Sequence, residues 1–198
     1  MCDPHLPIAS SLGTVMTERL MLHRFDLADL DELARVFESR EVWEFPYGRG
    51  MTRSETASFL DGQIKHWDDY RFGCWLARTR GDERVIGYLG LSVPLFLPEI
   101  LPAVEVGWRL APSAWGCGYA TEGATAALDE AFATLGLEHV CSLPQADNSR
   151  SVRVAERLGM SLMREVRVPA DEKRGEVVVS HYEITREQWQ AKSGHHPV

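Results

Sequence analysis

AVEVGWRLAPSAWGCGYATEGATAALDEAFATL, residues 103–135, reads as a strand handing over to a helix through a tight loop. The loop carries Gly116 and Gly118. Beyond it Ala120, Ala124, Ala127, Leu128, Ala131 and Leu135 recur at the three-to-four-residue spacing of one buried helical face. At such a junction the first helical turn presents N–H groups with no intrahelical acceptor, glycine lets a ligand approach the main chain, and the helix dipole favours an anion. Two readings follow: a phosphate cradle, or a glycine-eased turn ahead of a core helix that binds nothing. A Walker loop would need Gly-Lys-Ser/Thr at the helix start, which is absent. A dinucleotide fingerprint would want glycine or alanine at Thr121 and a place early in a βαβ unit, whereas this loop lies midway along the chain.

The 198 residues suffice for one domain with a sizeable core, and 44% hydrophobic with 25% charged residues are ordinary globular values. A net charge of −8 argues against a nucleic-acid surface, which needs a basic stripe to displace counterions. It suits cationic or amine partners, or simply solubility. Cys2, Cys74, Cys117 and Cys141 are far apart and form no C-x-x-C pair, which argues against a zinc knuckle and a disulfide framework and points to a reducing cytoplasm. No stretch approaches the ~20 apolar residues of a membrane span.

Around the quoted stretch, residues 1–16 read as a leader, 17–190 as the domain and 191–198 as a flexible tail. Residues 18–25 alternate as a strand, and Asp26 caps a helix through about Ser39. Residues 43–50, WEFPYGRG, read as a loop whose Trp43, Phe45 and Tyr47 either line a substrate cleft or plug the core. Thr52 to Glu55 is a capping box opening a second helix. Strands at 72–80 and 84–93 form a hairpin about Gly81-Asp82. PLFLPEILP, 94–102, is an apolar loop or edge that contacts a partner or folds back. After the quoted helix come a strand at 139–145, a helix from Asn148-Ser149 to Leu158 stopped by Gly159, strands at 161–168 and 177–184, and a short helix opened by the capping box at Thr185 to Gln188. His195-His196 lack the fixed geometry of a metal site, and no metal is expected. The order β-α-α-β-β-β-α-β-α-β-β predicts an α/β (α+β) fold with a mixed, largely antiparallel sheet of about seven strands.

This order, with AVEVGWRL at 103–110, WGCGYATE at 115–122, NSRS at 148–151 and RLGM at 157–160, resembles the GNAT N-acetyltransferases, and within them the RimJ/RimL-like branch that acetylates ribosomal-protein N-termini. The resemblance spans about residues 17–190. It implies acetyl-CoA as co-substrate, with Trp115, Gly116, Cys117, Gly118, Tyr119, Ala120 and Thr121 at the pyrophosphate, Val106, Gly107, Trp108 and Leu110 beside the pantetheine arm, and Asn148 holding the cofactor through its amide, or merely capping a helix. The partner it implies is an amine-bearing acceptor; a homodimer is allowed and not specified. Two departures stand out. The loop is often written Q/R-x-x-G-x-G/A, and Ser113 occupies its first position. Many relatives carry a general-acid tyrosine four residues before the last glycine, and here that position is Ala155. Ser151, three residues after the Asn, is the substitute the RimL-like branch offers.

Acyl transfer to an amine needs a neutral amine, a stabilised oxyanion and a proton for the departing thiolate. Deprotonating a lysine of pKa ~10.4 at neutral pH costs about 4–5 kcal/mol, and an α-amine of pKa ~8 about 1. The resemblance makes Glu105 the candidate base; it could equally be a strand-surface carboxylate. Backbone amides near Val106 and Gly107 could polarise the thioester if the strand splays there. Cys117 at a helix start invites a nucleophile reading, but no histidine lies near it in sequence. Glu122 could shape the cofactor loop or only answer the dipole. The competing reading is a non-catalytic acyl-CoA-binding domain, prompted by Ser113 and Ala155; a hydrolase is disfavoured because GLSVP at 90–94 only half resembles a nucleophile elbow.

Overall fold

The computed structural model describes residues 13–172 and 174–194. Its centre is one eight-stranded sheet in the order β1-β2-β3-β4-β5-β6-β8-β7. The strands are β1 Thr14–Met16, β2 Leu20–His23, β3 Cys74–Thr79, β4 Val85–Ser92, β5 Glu105–Leu110, β6 His139–Ser142, β7 Ser161–Val168 and β8 Val177–Thr185. Every neighbouring pair is antiparallel except β5 and β6, which run parallel because α4, Tyr119–Asp129, crosses between them. The remaining α-helices are α1 Leu30–Phe37, α2 Glu44–Tyr47, α3 Arg53–Tyr70, α5 Ser149–Leu158 and α6 Arg186–Ser193.

Alternation along the strands sends two apolar sets to opposite faces. Leu20, Leu22, Ile86, Leu89, Val106 and Leu110 are buried with Ala124, Ala127 and Leu128 of α4. On the other face Leu76 and Val85 meet Leu33 and Phe37 of α1 and Leu60 of α3. Gly123 lets α4 lie flat on β4, since a Cβ there would overlap the buried Leu89 side chain. The capping boxes at Asp26/Asp29, Thr52/Glu55 and Thr185/Gln188 all form, each supplying helix-start amides with acceptors.

Four boundaries differ from the sequence reading. The sheet has eight strands rather than about seven, because Thr14–Met16, assigned to the leader, pairs with β2. The 43–50 loop contains a broken turn, α2, interrupted at Phe45 (φ −109°, ψ 126°). The strand expected over 139–145 stops at Ser142, and Gln145 makes one isolated bridge to Val179. α6 runs into the expected tail as far as Ser193. The apolar 94–102 loop folds back through buried Leu97, while Phe96 stays 46% exposed. His195-His196 lie outside the described residues.

Candidate active site

β5 and β6 touch at a single register pair, Glu105 opposite Cys141, and then part. Which main-chain groups this exposes follows from two hydrogen bonds. Val104 C=O accepts from Cys141 N–H, so it faces β6, and Ala111 N–H donates to Ile86 C=O, so it faces β4. Main-chain groups alternate side to side along a strand. The amides of Val106, Trp108 and Leu110 therefore face the opened edge, and that of Gly107 faces β4. Val106 was expected among the cofactor contacts; its side chain is fully buried on the α4 face, which leaves only its main chain at the opened edge. The Gly107 amide faces β4, within a regular ladder, and Gly107 lines the cleft.

The loop between β5 and α4 is held from both ends. Trp115 Nε1 donates to Leu110 C=O at 2.8 Å. Gly116 and Gly118 take positive φ, +73° and +83°, a region costly for any residue with a Cβ. Gly118 caps α4 without a side-chain acceptor, so the first amides of the helix stay bare. Arg19 donates to Cys117 C=O at 2.8 Å, and through Nε and its own backbone N–H to Glu122 at 2.7 Å each. Thr17 completes this brace by donating to Glu122 at 2.5 Å. Burial would raise the Glu122 pKa, but the hydrogen bonds from Thr17 and Arg19 outweigh it and hold the carboxyl below its ordinary value.

The third wall is α5. Asn148 Oδ1 accepts from the Ser151 amide at 3.2 Å, which is the helix-cap role, and leaves its NH2 group for other use. Ala155, one turn beyond Ser151, is fully buried, so the position at which the family resemblance directed attention to a tyrosine is core here. These walls enclose one cleft of about 770 Å³. It brings together Glu105, Gly107, Trp108 and Leu110, the loop from Trp115 to Thr121 except Cys117, Asn148 and Ser151, and Trp43, Phe45 and Tyr47. Two expected residues do not line it: Val106, and Cys117, whose exposed thiol donates to Trp115 C=O at 3.5 Å. Bare helix-start amides and a free strand edge can together take phosphate and carbonyl oxygens from an extended ligand.

A profile of the acetyltransferase (GNAT) domain matches residues 19–161. The chain belongs to the GNAT acetyltransferases. It is 26% identical over 156 residues to the uncharacterised N-acetyltransferase p20 of Bacillus licheniformis, covering 74% of this chain and 82% of that one. To the FsC-acetyl coenzyme A-N(2)-transacetylase of Aspergillus fumigatus it is 36% identical over 128 residues, covering 60% and 52%. The crystal structure of an acetyltransferase from Agrobacterium tumefaciens str. C58 superposes with a TM-score of 0.69 at 28% identity, over 89% of this chain and 96% of that one. This GNAT chain is thus an acyltransferase, of a family that uses acetyl-CoA. Among the described residues no helix is long and apolar enough to cross a membrane, and no group of His, Cys, Asp and Glu could hold a metal ion.

Within this GNAT cleft, the carboxylate of Glu105 is strongly perturbed. Burial lifts its pKa to about 7, against the opposing pull of the Leu143 amide and the Arg109 charge. Two residues of the same face escaped the sequence reading. Arg109, two positions beyond Gly107, donates to Val42 C=O at 2.5 Å and Phe45 C=O at 2.7 Å, and its guanidinium lies 3.9 Å from the Trp43 ring centroid. It therefore fastens the 42–47 segment to β5. Tyr88, its cross-strand partner, receives a long 3.4 Å contact from Arg109 Nε. The i, i+2, i+4 alternation of Glu105, Gly107 and Arg109 is the signal that would have found the arginine. Trp43 itself is only 3% exposed, edge-on to Phe37 and stacked on Tyr47, so it serves the core and the cleft wall together.

Proposed function

We propose that this acyltransferase moves an acetyl group from acetyl-CoA directly to a primary amine, either the α-amine of a peptide or protein N-terminus, as the RimJ/RimL-like motifs imply, or a small amine. The observation that carries the reading is the meeting, in one cleft, of a parted strand edge, bare amides after Gly118 and a carboxylate with its pKa near 7. The small-amine branch draws support from the Aspergillus relative, whose name pairs acetyl coenzyme A with an N(2) acceptor.

When bound, acetyl-CoA supplies the thioester. In this reading the amides of the Gly116–Thr121 stretch hold its diphosphate, the Val106 amide faces its thioester, and the edge groups of Trp108 and the free NH2 of Asn148 hold the pantetheine arm. Leu110 and Trp115 close the end of that groove by bonding each other. Trp43, Phe45 and Tyr47 form the acceptor wall. Glu105 takes the amine proton, directly or through a water, as the N–C bond forms. The Val106 amide stabilises negative charge on the carbonyl oxygen. Ser151 gives a proton to the sulfur as the C–S bond breaks, so one proton passes in net from nitrogen to sulfur. A thiol of pKa ~8.5 makes that last step undemanding. The free thiols at Cys74, Cys117 and Cys141 suit a cytoplasmic enzyme, and the reading allows a homodimer.

Single-turnover thiol release from acetyl-CoA tests it, with three acceptor sets: peptides with free α-amines, the same peptides Nα-blocked but carrying lysine, and small primary amines. Transfer to the first or third set with lysine disfavoured is expected. Binding of acetyl-CoA with no turnover on any set would refute the transferase roles.

A further inference from the structure

The face of β5 that carries Glu105 and Arg109 is bare between them. In the register of β5 with β4, Glu105 stands beside Ser92, Gly107 beside Gly90 and Arg109 beside Tyr88. Registered pairs and alternate residues share a face, so two rows with side chains flank one that has none. Successive rows lie about 7 Å apart. The bare row therefore starts next to the Glu105 carboxylate and ends at Tyr88, whose ring centroid is 5.0 Å from that of Phe59, itself 6.1 Å from Trp43. Met51 lines the same cleft.

A glycine inside a strand weakens it and calls for a reason. Gly90 has one in the main chain: its φ is +141°, and a Cβ there would stand 2.7 Å from Cys74 Cα. Gly107 has none of that kind. Its φ lies outside the left-handed region, and a Cβ there would meet nothing within 4 Å. Neither backbone conformation nor packing excludes a side chain at 107, and the space one would fill belongs to the cleft.

We propose that this bare row is the specificity pocket of the acceptor and takes an aromatic or large branched apolar group carried on the carbon beside the amine. The proposal rests on the reading of Glu105 as the group that receives the amine proton in an acetyl transfer. With the amine at Glu105, a side group one ring long lies over Gly107 and reaches the Tyr88 and Phe59 rings, where aromatic edges and faces meet favourably. Arg109, the cation of this face, is spent on the Val42 and Phe45 carbonyls and the Trp43 ring, so no countercharge rewards an acidic side group.

Thiol release from acetyl-CoA by the full chain tests this with glycinamide, alaninamide, leucinamide and phenylalaninamide, and with peptides that begin with the same four residues. The wild type is compared with Gly107→Val and Gly107→Ala. Wild-type kcat/KM is expected to rise along the series, phenylalanine exceeding glycine by about ten- to a hundredfold, the worth of filling an apolar pocket. Gly107→Val is expected to erase that preference. Gly107→Ala adds one carbon, keeps the test readable if valine does not fold, and is expected to reduce the preference several-fold; melting temperature and calorimetric acetyl-CoA affinity are read alongside. A wild type that favours glycine, or a preference that survives in every folded variant, overturns the pocket and leaves the transferase reading in place. Variants that lose acetyl-CoA affinity instead of discrimination put Gly107 in the cofactor groove and overturn it likewise. A wild type that binds acetyl-CoA and releases no thiol with any of these amines removes both readings.

Discussion

Replacing Glu105 by Gln removes the proposed base and, at the same time, a charge that the fold holds at a cost. The rise of its pKa from an ordinary 4.5 to about 7 corresponds to about 3 kcal/mol. Because the carboxyl is partly open to the cleft, we expect about 1–2 kcal/mol of this in stability. The sign is set by where the proton is held more tightly. A folded pKa above the unfolded one means that the stabilising protonated form is complete below pH 4.5 and is lost as pH climbs to about 7, with no further change above. Glu105→Gln has no such loss. Its melting temperature should match wild type near pH 5 and exceed it by about 3–6 °C at pH 8. Activity should move the other way, kcat/KM falling by roughly 10²- to 10⁴-fold. Wild-type kcat/KM, measured by thiol release on an acceptor whose amine is neutral throughout, should rise tenfold per pH unit and level off near 7. A variant that melts no higher than wild type at pH 8, or one that retains a third of the activity, would show that burial at Glu105 has been misjudged or that another group takes the proton.

Three further outcomes follow from the same geometry. Gly118→Ala places a Cβ on a residue at φ +83° and should cost about 1–2 kcal/mol of stability while weakening acetyl-CoA binding at least tenfold, read by thermal melts and calorimetry. Arg109→Met should free the 42–47 segment and raise KM for the amine several-fold with acetyl-CoA affinity little changed, because its bonds hold the acceptor wall and not the glycine loop. Glu122→Gln breaks the brace from Thr17 and Arg19; since the Glu122 pKa is held below its ordinary value, that stability is present above about pH 4.5 and fades in acid, so the variant should be weaker by about 1 kcal/mol at pH 7 and converge with wild type as pH falls.

The strand, glycine loop and helix of residues 103–135 were legible because each leaves a local mark: a period of two, two glycines, then a period near 3.6. So were the capping boxes at Thr52/Glu55 and Thr185/Gln188, which are four-residue events, whereas at Asp26 only the cap was read and not its reciprocal Asp29. Thr14–Met16 left no such mark; three residues carry no periodicity, and their strand character comes from pairing with β2. The single-pair junction of β5 and β6 was legible only as a condition, since where two strands part depends on what packs beneath them. Arg109 was passed over because its partners, the Val42 and Phe45 carbonyls, lie more than sixty positions away and a backbone carbonyl has no sequence signature. The double duty of Trp43 was open in the sequence for the same reason: cleft wall and core plug differ only in what stands on the far side of the ring.

Arg109 also bears on why Glu105 titrates where it does. The two share a face of β5, four residues apart, and the arginine's charge acts to lower the glutamate's pKa. Yet that charge is spent on two carbonyls and the face of Trp43, and the contact left for Glu105 is electrostatic and distant rather than a bonded pair. A bidentate Arg–Glu pair would drive the carboxyl well below its ordinary value and leave a poor base. Anchoring the guanidinium on the 42–47 segment prevents that, so burial prevails and the carboxyl stays near neutrality. The contact that positions the acceptor wall is therefore also the one that preserves the base, and any substitution that releases the 42–47 segment while keeping Arg109, such as shortening the chain between Val42 and Phe45, should shift the activity profile of Glu105 toward acid.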